Sequence, residues 1–86
     1  MAKVVLARSA RAALAALDYL LAEAVLEALS ELQRDPELGH VLRGRLSGLR
    51  CYRVGAYRII YQLRGHNTVR VAAIRHRSHA YRTDPR

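Results

Sequence analysis

The 86-residue sequence predicts a single α+β domain, residues 1–86, in the order β-α-α-β-β-β, with two N-terminal helices packed on one face of a small antiparallel sheet. The prediction rests on three features. Apolar residues recur at three- and four-residue steps in the first half. Short β-branched and aromatic runs, broken by glycine, fill the second half. The whole formal charge of +8 also lies in the second half.

Val4, Val5 and Leu6 suit a short opening strand. Ser9 then stands where its hydroxyl would cap the first turn of a helix, and residues 12–17 are strong helix formers. A break is expected near residues 17–19, with Asp18 capping a second helix. Along that helix Leu21, Val25, Leu26, Leu29 and Leu32 form an apolar stripe, and Glu23, Glu27, Glu31 and Arg34 occupy the opposite side. Asp35-Pro36 should end it, because a residue before proline is driven out of the helical region.

A loop holding Gly39, Gly44 and Gly48 follows, and His40 is expected in it at the surface. Residues 50–54, 57–63 and 68–74 then read as strands separated by Gly55-Ala56 and by Gly65-His66-Asn67, which makes an antiparallel meander. Alternation sorts its faces. Tyr57, Ile59, Tyr61 and Leu63 should meet the helices, leaving Arg58, Ile60 and Gln62 on a free face. Cys51 and Arg53 share one side of the preceding strand, which would bring Arg53 near Arg58.

With 51% hydrophobic and 26% charged residues, the composition is that of a globular chain rather than a disordered polar tract. The 15 basic residues outnumber 7 acidic ones, and Lys3 is the sole lysine. Residues 1–34 balance, so the excess sits on the predicted sheet and tail, where it favours an anionic partner such as nucleic acid. Cys51 is the only cysteine, which excludes an intrachain disulfide and a thiolate zinc cluster and fits a reducing cytoplasm. The start, MAKVVLARSA, lacks a signal-type apolar core, and the apolar stretch 12–22 is interrupted by Asp18. The expected location is therefore cytoplasmic, with no membrane partner.

A basic open face edged by tyrosines suits a nucleic-acid strand, because guanidinium groups grip phosphates and aromatic rings stack on bases. The segment 75–82, RHRSHAYR, is denser still. His76 and His79 stand three residues apart, but no carboxylate or thiolate nearby would complete a metal site, so neither metal nor cofactor is expected. Phosphodiester cleavage without a metal needs a base for the 2′-hydroxyl, positive charge for the phosphorane and an acid for the leaving oxygen. Histidine, arginine and tyrosine can supply these. No G-x-S-x-G elbow and no G-x-x-x-x-G-K loop occurs, which leaves serine hydrolysis and nucleotide-driven chemistry unsupported.

The L-R-G of residues 42–44 and the R-V-G-A-Y-R-I-I-Y of residues 53–61 resemble the RelE/ParE toxin superfamily of type II toxin–antitoxin systems. Members of that superfamily typically read L-x-G, then R-V-G-x-Y-R-I-x-Y, then a strand and a basic tail ending in tyrosine. The tail H-R-S-H-A-Y of residues 76–81 is similar to the RelE-like branch. The resemblance implies a RelE-like fold and a ribosome-dependent mRNA endoribonuclease that inhibits translation by metal-independent 2′-hydroxyl attack. It assigns Arg58 to the cleaved phosphate, Arg53 to acid–base or charge stabilisation, Arg77 to the tail arginine and Tyr81 to the tail tyrosine that orients the nucleotide. His76 is a further catalytic candidate. Arg43, Arg45, Arg50, Arg75, His79 and Arg82 are expected to bind RNA. Arg75 departs from the family's usual glycine, and Gly55 falls near a place where some relatives carry a second sheet lysine.

The partners implied by the resemblance are a cognate antitoxin protein, the 70S ribosome with mRNA, and operator DNA only through the antitoxin complex. An acidic antitoxin tail would compete with RNA for the same arginines. The alternatives are a ParE-like inhibitor of DNA gyrase without nuclease activity and a degenerate, non-toxic binding module.

Overall fold

A computed structural model describes residues 1–78 of the chain; Tyr81, His79 and Arg82 lie outside the described residues. Its elements are β1 (Lys3–Leu6), α1 (Arg8–Ala16), α2 (Tyr19–Arg34), β2 (His40–Val41), a 3₁₀ turn at Gly44–Leu46, β3 (Arg50–Val54), β4 (Tyr57–Arg64) and β5 (Thr68–His76). The strands form one sheet in the order β1-β5-β4-β3-β2. The meander β3-β4-β5 is antiparallel as expected. β1 instead lies parallel to β5, so the sheet is mixed, and His40 joins a two-residue edge strand rather than a plain loop. The connection between β1 and β5 is long enough for parallel pairing, since it holds both helices and the strands β2, β3 and β4.

The helix boundaries have local causes. Asp18 accepts a hydrogen bond from Leu21 N at 3.0 Å and opens α2, which ends at Arg34, just before Asp35-Pro36. Ser9 does not cap α1. The helix starts at Arg8 with Ala7 at its N-cap, and the Ser9 hydroxyl donates to Ala72 O at 3.0 Å, tying α1 to β5.

Val25, Ala28, Leu29 and Leu32 of α2 and Ala10 of α1 are buried against Ile59, Tyr61, Val69, Val71 and Ile74. Leu21 and Leu26, assigned to the buried stripe from sequence, are exposed, and the small Ala28 lies against the sheet instead. The other sheet face is not wholly free. The loop after β2 folds over its middle, where Leu42 and Leu46 pack on Leu49, Ile60 and Ala73. This second small core explains an apolar Ile60 between polar neighbours on the outer face of β4. Among the described residues, no helix is long and apolar enough to cross a membrane.

The register of β4 against β5 contains one irregularity. Ile60 pairs with Ala73 and Tyr61 with Val71, so Ala72 is an extra residue on β5. It reverses the alternation along that strand. Val69 and Val71 face the helices, and beyond the bulge Ile74 does too, although an unbroken strand would turn Ile74 away.

Candidate nucleic-acid interface

The site is built on the outer face of the meander. Arg53 is paired with Arg58, and Arg58 with Arg75, so three arginines stand side by side across β3, β4 and β5. Directly opposed residues share a face, with Cβ atoms roughly 5 Å apart. The bulge at Ala72 determines the membership of this row. Without it, Arg75 would share the helix side with Val69 and Val71, and the row would stop at two.

Arg53 is exposed, and Arg58 and Arg75 are half-buried at the sheet surface. Cys51, two residues before Arg53, senses both neighbouring cations. Burial pushes its thiol pKa up, and the charges of Arg58 and Arg53 pull in the opposite direction. Like charges at adjacent sheet positions are unfavourable in themselves. A row of three is an arrangement that an anion would neutralise.

The turn between β3 and β4 closes the row at one end. Gly55 takes a left-handed φ of 59°, which the tight Gly55-Ala56 connection requires. Arg77 N donates to Ala56 O at 2.7 Å, which anchors the residue after β5 to this turn, beside the row. The backbone therefore brings Arg53, Arg58, Arg75 and Arg77 to one corner of the sheet.

Other residues singled out from sequence go elsewhere. His76 neighbours Arg75 in a strand and so points to the opposite face. Its ring meets Tyr57 edge-on with centroids 5.3 Å apart, and Ser78 N donates to its Nδ1 at 3.3 Å. The sheet thus separates His76 from the arginine row. Arg50 is also on the helix side, where its guanidinium donates to Glu37 O and Gly39 O at 3.0 and 2.9 Å. It clamps the loop after α2 and does not share the arginine face. Arg43 and Arg45 are exposed on the loop that covers the middle of that face.

The outer face carries three further cations. Arg64 follows Arg58, Ile60 and Gln62 on the outer side of β4, and Arg70 is paired with Gln62 on β5. Lys3 of β1 is paired with Thr68, which puts it on the same face. Alternation counted onward from Arg58 finds Arg64. Arg70 and Lys3 required the strand order.

A sheet backed by two helices is also the fold of several solved toxins. The toxin–antitoxin complex RelBE2 from Mycobacterium tuberculosis matches with a TM-score of 0.80 and 33% identity, over 87% of this chain and 96% of that one. The intact E. coli RelBE toxin–antitoxin complex matches at 0.75 and 19% identity, over 86% and 94% of the two chains. A YoeB/ParE toxin from Agrobacterium tumefaciens matches at 0.74 and 20%, over 86% and 97%. The last two likenesses concern the fold alone. Comparison with curated protein sequences finds no match. Residues 4–81 match the family described as the ParE toxin of type II toxin–antitoxin systems, and the chain belongs to that family, within the RelE/ParE superfamily.

Proposed function

We propose that the chain is a ribosome-dependent mRNA endoribonuclease, held in check by a cognate antitoxin protein. The observation that carries this reading is the Arg53–Arg58–Arg75 row, a dense cationic surface at a sheet corner with Arg77 anchored beside it. In the reaction, the RNA 2′-oxygen forms a bond to the adjacent phosphorus as the bond from phosphorus to the 5′-oxygen breaks. One proton leaves the 2′-hydroxyl and one arrives on the 5′-oxygen, giving a cyclic 2′,3′-phosphate and a free 5′-hydroxyl. Negative charge grows on the non-bridging oxygens at the transition state, and preorganised guanidinium groups stabilise it there more than in the ground state.

Arg58, central in the row, is assigned to the phosphate, with Arg53 and Arg75 on either side and Arg77 approaching from the turn. Tyr81 is assigned to stack on or orient the attacked nucleotide. Arg43 and Arg45 extend the basic surface toward the ribosome. The 33% identity with a chain of the toxin–antitoxin complex RelBE2 supports the antitoxin partner. An acidic antitoxin segment laid on the row would neutralise the charges that the RNA needs, and operator DNA would be reached through that complex.

One observation favours a second reading. The matching family is described by its ParE member, which supports inhibition of DNA gyrase without cleavage. A translation extract separates the two. Cleavage predicts mRNA breaks that require ribosomes and disappear with Arg58→Ala. Intact mRNA at a toxic dose, with gyrase supercoiling blocked, would establish the second reading instead.

A further inference from the structure

The outer face holds a second cationic cluster that the arginine row does not use. Beside the loop that covers Ile60 and Ala73, a cleft of about 350 Å3 opens at Gln62, Arg64 and Arg70, with Ser47 and the buried Leu49 and Ala72 also in its lining. Its volume is within the range of small-ligand sites. Arg64 Nε donates to Gln62 Oε1 at 3.1 Å, and Gln62 is the direct cross-strand partner of Arg70. The Gln62 amide therefore holds one guanidinium group at the cleft and stands opposite the residue that carries the second. Lys3 adds a third positive charge on the same face. Apart from Asp84, every acidic residue of the chain lies on α2, at its cap or in the loop that follows; Asp35 and Glu37 come near Leu63 and Thr68, but none of these carboxylates lines this cleft.

We infer that this cleft is a second phosphate-binding subsite, which holds a nucleotide of the same single-stranded RNA whose scissile phosphate lies on the arginine row. Two guanidinium groups suit a phosphodiester. The amide of Gln62 and the hydroxyl of Ser47 suit the polar edges of a base or sugar, and Leu49 and Ala72 suit its apolar face. Gln62 stands four residues from Arg58 along β4, roughly 13 Å at the usual strand rise. A few nucleotides of extended strand cover that span. The subsite would lengthen the grip on the message and set which nucleotides flank the cut. This inference deepens the cleavage reading and rests on it for the identity of the strand.

The test measures binding and cleavage separately on the full chain. The binding probe is a fluorescein-labelled 2′-O-methyl RNA, which lacks the attacking hydroxyl, in two lengths: a dinucleotide and an oligonucleotide long enough to cover both clusters. The Arg64→Ala/Arg70→Ala variant should bind the longer probe about tenfold more weakly and lose about 1.4 from the slope of log affinity against log salt. Its dinucleotide affinity should be unchanged. Arg8→Ala/Arg11→Ala, which removes the same charge from α1, should behave as the parent. Parent-like affinity and salt slope in the first variant would overturn the subsite, as would equal losses in the α1 control. The cleavage reading is judged independently in a translation extract. If the parent makes no ribosome-dependent breaks while Arg64 and Arg70 still govern binding of the longer probe, the cleft is a single-strand binding site and the nuclease reading fails. If breaks occur and the double variant binds as the parent, the subsite fails and the nuclease reading stands.

Discussion

Arg58 on β4 and Arg75 on β5 are direct cross-strand partners, and they face the same side of the sheet because Ala72 is left unpaired between Val71 and Ala73 in the register. The insertion serves two purposes at once. It turns Ile74 into the helix-side core and Arg75 onto the outer face, so one irregularity completes both the packing and the cationic row.

Arg58→Ala should abolish growth inhibition and lower the ribosome-dependent cleavage rate by about 10²-fold to 10³-fold, as expected for losing one preorganised charge at the transition state. The thermal unfolding midpoint should stay near that of the parent. Undiminished toxicity in a growing cell would remove Arg58 from the role proposed for it.

Deleting Ala72 should remove the bulge and leave Val71, Ala73, Ile74 and Arg75 in plain alternation, with Ile74 still in the core and Arg75 still on the outer face. The expected loss is about 1 kcal/mol, from the Ser9 hydroxyl that loses its Ala72 acceptor. Chemical denaturation measures it. A loss above about 3 kcal/mol would show that Ile74 and Arg75 have changed faces.

Tyr61 is fully buried, and its hydroxyl accepts from Gly39 N at 3.0 Å and donates to Pro36 O at 2.8 Å. Tyr61→Phe leaves both backbone groups without that partner and should cost about 2 kcal/mol. Gly39→Ala should cost more, because a Cβ there would stand 2.6 Å from the Cys51 carbonyl oxygen, which the sheet holds in place. The order of the two midpoints in a urea titration checks the argument, and a neutral Gly39→Ala would contradict it.

Tyr52 donates to a Glu31 carboxylate oxygen at 2.7 Å, joining β3 to α2. That bond raises the phenol pKa above its ordinary value, with smaller contributions from burial and the Glu31 charge. The folded state therefore holds the proton more tightly than the unfolded one. The stabilisation is complete below the ordinary phenol pKa of about 10 and is lost as pH rises through the higher native value. Tyr52→Phe should cost about 1 kcal/mol at neutral pH, with the difference from the parent vanishing in strong alkali. A difference that persists there would count against the bond.

The Cys51 thiol is pushed up by burial against the opposing pull of Arg58 and Arg53. It should react slowly with a thiol reagent in the folded protein at neutral pH. Replacing both arginines by alanine removes the opposing cations, so the midpoint of the rate–pH profile should move to higher pH. A downward shift would show that the two guanidinium charges do not reach the thiol.

Much of the architecture was legible from local chemistry. Asp18 and Asp35-Pro36 delimit α2 through capping and proline sterics, both of which act within a few residues, and the glycines at 55 and 65 mark the turns of the meander. The Arg53–Arg58 neighbourhood followed from alternation across a two-residue turn. Ser9 illustrates the opposite case. Its type and position fit a cap, yet β5 offers the Ala72 carbonyl from 63 residues away, and the hydroxyl goes there. Arg50 likewise looks like one more basic residue of the sheet until the Glu37 and Gly39 carbonyls are seen to hold it.

By itself, the sequence determined the order of the main elements apart from the short edge strand β2, the concentration of charge in the second half and the family motif at residues 53–61, because period, capping and composition are properties of neighbouring residues. Tertiary structure alone decided that β1 runs parallel to β5, that His76 faces away from the arginines, and that Arg75 joins them. The physical reason is register. The side that a residue presents depends on which residue of the partner strand lies opposite, and one unpaired alanine on β5 changes that for everything after it.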